Sequence, residues 1–176
     1  MKLSYLLRGL PGHPLHPPLT DATIGIYTAA TAFGVLSALG VSEDNMATAW
    51  WLALVVGLVV TVPTALAGLL DWLTIPRGGQ QWRTATLHLA AMVSATVVFL
   101  LAAIVGHGGY ADREVAGAGL VPTLAGFAVL TLGGWLGGTI VFVHGMRVLK
   151  PGGEPTAPSG GSVPYREKET GAGEAR

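Results

Sequence analysis

Four long apolar stretches alternate with short polar breaks along this chain. Residues 20–39, 47–70, 84–106 and 119–143 are predominantly apolar, and roughly 20 such residues suffice to carry a helix across the hydrocarbon core of a bilayer. The breaks are Ser42-Glu43-Asp44-Asn45, Pro76-Arg77-Gly78-Gly79-Gln80-Gln81 and Asp112-Arg113-Glu114. Each contains turn formers or charges that stop a spanning segment. The stretches are rich in Gly, Ala and Thr and lack the alternation of barrel strands, so helices are the spanning form. The pattern predicts an all-α transmembrane four-helix bundle over residues 20–149, a lead-in segment over 1–19 and a tail over 150–176.

Composition supports lipid as the solvent. Charged residues make up 11% of the chain and hydrophobic ones 51%, whereas a soluble domain carries about 25% charge. The formal net charge is zero and no basic run occurs, which argues against nucleic acid as a partner. The chain has no cysteine, so disulfides, cysteine-ligated iron–sulfur clusters and c-type haem attachment are excluded within it.

Charge also orients the spans. Lys2, Arg8, Arg77, Arg83, Arg147 and Lys150 fall on one side of the membrane and Arg113 alone on the other. The positive-inside rule then puts both termini in the cytoplasm of a multi-pass protein of the bacterial plasma membrane. The first apolar stretch is longer than a signal-peptide core and lacks a cleavage site beyond it, so it is expected to remain as a helix. The tail combines Pro, Gly, Ser and mixed charge without apolar periodicity, and disorder is expected there. Residues 1–10 suit a short interfacial amphipathic segment.

The most distinctive string is Gly12-His13-Pro14-Leu15-His16-Pro17-Pro18-Leu19-Thr20-Asp21. Its prolines remove backbone donors and fix φ, so an extended lead-in is expected as far as Pro18. Helix would then start near Thr20 or Asp21, whose side chains can cap exposed N–H groups.

An even number of crossings brings His13, His16, Asp21, Asp71, His88 and His144 to one membrane face. Helical spacing aligns Asp71 with Thr64, Ala67 and Gly68, His88 with Ala91 and Ala95, His144 with Gly133 and Gly137, and Asp21 with Gly25, Thr28 and Ala32. Small residues mark the faces where membrane helices approach, which points all four ionisable groups inward. One reading is an interfacial polar network, with Asp71 paired to Arg77 or accepting from His88. The other is a ligand site. Neutral imidazoles on facing helices hold a b-type haem axially, for which His88 and His144 are the expected cofactor ligands. A divalent metal such as zinc would instead draw on His13, His16, Asp21 and Asp71.

Other residues have simpler readings. His107 lies at the opposite end, among glycines, and reads as a solvated loop residue. Trp50, Trp51, Trp72, Trp82 and Tyr110 read as interface anchors. No nucleophile elbow, phosphate loop or kinase-like signature is present, so the sequence offers no catalytic residues.

The string from Gly12 to Tyr27, with Ala67-Gly68-Leu69-Leu70-Asp71-Trp72 and Gly133-Gly134-Trp135-Leu136-Gly137-Gly138-Thr139-Ile140-Val141-Phe142, resembles a family of small bacterial membrane proteins known as domain of unknown function 2231. The resemblance implies four transmembrane helices and no established activity. Some relatives are fused to a Rieske iron–sulfur domain, which implies a redox setting. Members often carry a histidine directly after the last Gly-Gly pair, where this chain has Thr139. The expected function is a redox-associated membrane protein with a haem b or metal site at the cytoplasmic side of the bundle. The alternative is a non-catalytic membrane module that anchors or assembles partner proteins. The partners expected are the lipid bilayer, a redox protein and a second copy of the chain.

Overall fold

A computed structural model describes residues 9, 10, 13–146 and 148; the interfacial segment and the tail expected from the sequence lie outside these. Gly9–Leu10 (β1) pairs antiparallel with His13–Pro14 (β2), Gly9 opposite Pro14 and Leu10 opposite His13. Five helices follow: α1 (His16–Ala38), α2 (Glu43–Trp72), α3 (Gln80–Val105), the short α4 (His107–Asp112) and α5 (Gly117–Phe142). The four long ones are long and apolar enough to cross a membrane. They are apolar all round, as expected where lipid covers the outer face. At about 1.5 Å per residue, α2, with 30 residues, is longer than the hydrocarbon core is thick and reaches into the interface or tilts.

The spans begin and end within a few residues of the expected positions, and the largest physical difference is at the start. Helix α1 opens at His16, with proline in its first turn and no side-chain cap; neither Thr20 nor Asp21 serves as one. The first four N–H groups of a helix have no intrahelical partner, so Pro17 and Pro18 sacrifice no bond there. At the other end of α1, Gly40 takes φ +76° and the chain closes as a Schellman turn. Val41 N–H donates to Leu36 O (3.0 Å) and Gly40 N–H to Ser37 O (2.9 Å).

α1 packs along α2 and α3 along α5, and the two pairs meet each other more sparsely. The core between them combines alanines with three aromatic rings: Trp50, Tyr27 and Phe99 are its largest fully buried side chains. Leucines and valines such as Val59, Leu101, Val121 and Leu132 face outward. Lipid is as apolar as these side chains, so the helices are held by close packing and interhelical hydrogen bonds. Trp50 departs from its expected role as an interface anchor. It is fully buried, donates Nε1–H to Thr123 Oγ1 (3.1 Å) and fills the space left by Gly34, Gly106 and Gly119. His107 likewise starts α4 instead of lying in a loop, exposed and edge-on to Trp51.

The two helix pairs repeat each other. Tyr27 of α1 lies against Gly57 of α2, where an added Cβ would come 2.7 Å from the ring. Phe99 of α3 lies in the same way against Gly126 of α5, at 3.0 Å. The two rings stack on each other at the centre of the bundle. Adding 72 to an α1 number gives its α3 counterpart, and adding 69 to an α2 number gives that in α5. The match extends to the buried positions Thr23/Ala95, Ala30/Ala102, Thr31/Ala103 and Gly34/Gly106. α1 and α3 run in the same direction, so the relation is a pseudo-two-fold rotation about the membrane normal.

Candidate functional site

Within the half of the bundle where α1 begins, the packing opens into a cavity of about 490 Å³, a size usual for small-molecule sites. Arg77 and Arg83 stand exposed at this end, which the positive-inside rule makes cytoplasmic. Tyr27 and Thr61 line the cavity's deep part; Ile24, Met92, Leu130 and Ile140 furnish apolar walls. Pro17 and Asp21 line it too and are exposed, so they form its rim.

Two histidines face this cavity from α1 and α3. His88 donates Nδ1–H to the Gly133 carbonyl of α5 (2.7 Å). The acceptor is a carbonyl, so Nδ1 carries the proton and, in the neutral ring, Nε2 is the lone-pair nitrogen. Nε2 has no protein partner among the described residues. The ring lies against Gly137, whose added Cβ would be 3.1 Å from Cε1. His16 is held in the same way: Nδ1–H donates to the Thr64 carbonyl of α2 (3.1 Å). Its ring lies on Gly68, where a Cβ would be 2.6 Å from Cε1. The Thr20 hydroxyl is 3.4 Å from His16 Nε2 and donates to His16 O (2.9 Å). Thr64 and Gly133 are repeat counterparts, as are Gly68 and Gly137.

The remaining candidates separate. Asp71 is buried, as expected, and lines the cavity; its counterpart in α5 is Ile140. Its expected partners are placed otherwise, for His88 spends its Nδ1 proton on Gly133 O and Arg77 is exposed in the loop. Asp21 is exposed, and so are Gly25, Thr28 and Ala32 on its face. That face looks outward, and the inward one carries Thr23, Tyr27, Ala30 and Gly34. Small residues occupy both faces of α1, so their presence could not choose between them. His13 is exposed in β2 and His144 lies past the end of α5; neither lines the cavity. The His144 Nε2 is 3.2 Å from the Thr84 hydroxyl. The cavity therefore gathers His16, Asp21, Asp71 and His88 and leaves out His13 and His144. Among the described residues, no three His, Cys, Asp or Glu side chains are grouped to hold a metal ion.

A family model described as Predicted membrane protein (DUF2231) matches residues 12–150. The chain belongs to this family. The matched region runs from the His-Pro-x-His-Pro string through the last long helix, so membership in DUF2231 covers both helix pairs and the cavity between them. No curated protein and no solved structure matches the chain. For this DUF2231 member the geometry itself carries any finer reading.

Sequence reasoning passed over Tyr27 in the deep part of the site and His16 as the match of His88. The signal was a shared spacing. His16 and Tyr27 are eleven positions apart, as are His88 and Phe99, Gly57 and Gly68, and Gly126 and Gly137.

Proposed function

We propose that this protein is a redox-associated module of the bacterial plasma membrane that holds a cofactor, haem b or a divalent metal, in the cavity at its cytoplasmic half. One observation carries the reading. His88 is fixed through Nδ1 to a backbone carbonyl at the wall of a largely apolar cavity. Carbonyl-bound imidazoles of this kind are the usual state of histidine ligands, because the second bond sets the tautomer and orients the ring. An ionisable side chain is costly at membrane depth and is retained mainly where it serves a ligand or a transfer path. The protein's part is then to place the ligand nitrogen, exclude water and surround the cofactor with apolar walls, while the redox chemistry belongs to the cofactor.

The test is direct. The protein is purified in mild detergent, its visible spectrum is recorded oxidised and reduced, and bound metals are measured by elemental analysis. A haem spectrum or a stoichiometric metal is the expected result. A folded protein that is colourless, metal-free and takes up neither hemin nor zinc would overturn the reading and favour an anchoring or assembly module.

A further inference from the structure

We infer that the seam between α1 and α5 is a lateral port through which a membrane-dissolved hydroquinone enters the cavity, with its hydroxyl head held by the Asp21 carboxylate. The inference deepens the redox reading above by naming a substrate class, and it rests on that reading for the choice of hydroquinones among hydroxyl compounds; the port itself needs no cofactor.

The repeat supplies an internal comparison. The helix pairs meet along two seams, α2 with α3 and α1 with α5, and both border the cavity. On the first seam the lining includes Ala65, Leu69 and Val93; their counterparts on the second are Gly134, Gly138 and Asp21. Gly57, Gly68, Gly126 and Gly137 each make room for a ring of a neighbouring helix, whereas Gly134 and Gly138 do not. Among the described residues, a Cβ on Gly134 would meet only Ile24, at 3.8 Å, and one on Gly138 only Phe142 of its own helix, at 3.9 Å. Glycine here leaves a bare strip of α5 that a ligand can approach closely. Pro17, Asp21 and Phe142 line the cavity and are exposed, so at this seam the cavity reaches the lipid-facing surface.

Hydrogen-bond accounting sets the head group. Among the described lining side chains the donors are spent on the protein. His16 and His88 give Nδ1–H to carbonyls, and Trp72 gives Nε1–H to Thr86 Oγ1 (3.0 Å). The hydroxyls of Thr20, Thr23, Thr61, Thr64 and Thr96 donate to carbonyls one turn back, so the Tyr27 hydroxyl donates to Thr61 (3.1 Å). Pro17 and Pro18 also strip backbone donors from the start of α1. Acceptors remain, and Asp21 supplies one at the lip of the port. It lies five residues beyond His16, about 7–8 Å further along the helix, where its counterpart Val93 faces lipid. A carboxylate there is costly unless a partner meets it.

The matching molecule has an apolar body, dissolves in the bilayer and donates hydrogen bonds. A tailed hydroquinone does all three. Its oxidised form, the quinone, only accepts and finds no donor. Binding at Asp21 leaves His88 Nε2 to the cofactor.

Saturable binding of a tritiated decyl-hydroquinone, kept reduced, to the full-length protein in lipid nanodiscs tests the port. One molecule per chain is expected, with the matching quinone and the dimethyl ether at least tenfold weaker. Gly138→Leu and Asp21→Val, which recreate the other seam, should each weaken binding at least tenfold while keeping the unfolding temperature, since open space surrounds Gly138 and Asp21 is exposed. Leu132→Ala, exposed and away from the lining, should change nothing. Equal binding of quinone and hydroquinone, full binding by both port variants, or binding of decylamine in place of the hydroquinone would each overturn the inference. Bound haem or metal without hydroquinone binding overturns it and leaves the cofactor reading standing; hydroquinone binding to a colourless, metal-free protein that takes up neither hemin nor zinc supports the port and overturns the cofactor reading.

Discussion

Tyr27 and Phe99 stack across the centre of the bundle with ring centroids 3.9 Å apart and planes within 3° of parallel. Each ring is seated on a glycine of its own helix pair, Gly57 or Gly126, and the Tyr27 hydroxyl is 3.1 Å from that of Thr61. This stack joins the two pairs where other contacts between them are few. Gly57→Leu and Gly126→Leu push on the rings from behind and should each lower stability by about 1–3 kcal/mol, the range for overpacked cores. Gly25→Leu is the control, since nothing lies within 4 Å of a Cβ there. Thermal unfolding in detergent checks the contrast; equal effects at Gly25 and Gly57 would remove the stack as the joint.

The number of spans, their approximate limits and the gathering of polar groups at one end were legible because they follow from local apolarity and from counting crossings. Facing was legible for Asp71 and His88, whose small-residue neighbours Thr64, Ala67 and Ala95 are buried. It was not legible for Asp21, because α1 carries small residues on both sides and lipid does not penalise an apolar outer face. The match of His16 with His88 was hidden for a different reason. It depends on a two-fold relation between helix pairs, and its trace in the sequence is a shared spacing of histidine, aromatic and glycine in a chain with 26 glycines. Prolines at 17 and 18 also point to a helix that starts after His16, which groups that residue with the metal donors of the lead-in and not with His88.

Trp50 and Trp135 offer a second contrast. Trp50 is fully buried, hydrogen-bonded to Thr123 and surrounded by three glycines that leave room for it. Trp135 is 73% exposed on the lipid-facing side of α5. Trp50→Ala opens a cavity that rigid helices cannot collapse and should cost about 3–5 kcal/mol, as large aromatic truncations do. Trp135→Ala should shift stability by no more than about 0.5 kcal/mol. Chemical denaturation followed by circular dichroism reads both, and a Trp135→Ala loss as large as that of Trp50→Ala would mean that the two have been assigned to the wrong environments.

The turn between α1 and α2 depends on Gly40. Its φ of +76° lies where a Cβ is disfavoured, and its N–H closes the end of α1 on Ser37 O. Gly40→Ala should therefore destabilise by about 1 kcal/mol, although open space surrounds the position. Gly40→Asn should recover part of the loss, because asparagine tolerates the left-handed region better than other residues with a Cβ. An alanine variant as stable as the wild type would show that the turn adopts another conformation.

The protonation pattern of the two cavity histidines gives the most local test. A carbonyl oxygen can only accept, so the 2.7 Å contact between His88 Nδ1 and Gly133 O and the 3.1 Å contact between His16 Nδ1 and Thr64 O require the proton on Nδ1 in both rings. The free neutral imidazole in water prefers the other tautomer, so the structure imposes a reversal that side-chain nitrogen chemical shifts can read directly. In their neutral forms the two rings of the ligand-free protein should show Nδ1 protonated and Nε2 unprotonated, with His107, exposed at the far end, as the internal reference. Gly137→Ala would press a methyl group to within 3.1 Å of the His88 ring and should perturb the His88 signals while leaving those of His16 in place; Gly68→Ala should do the converse. Rings protonated on Nε2 alone would contradict the two carbonyl bonds, and at His88 the presentation of the Nε2 lone pair on which the cofactor reading depends.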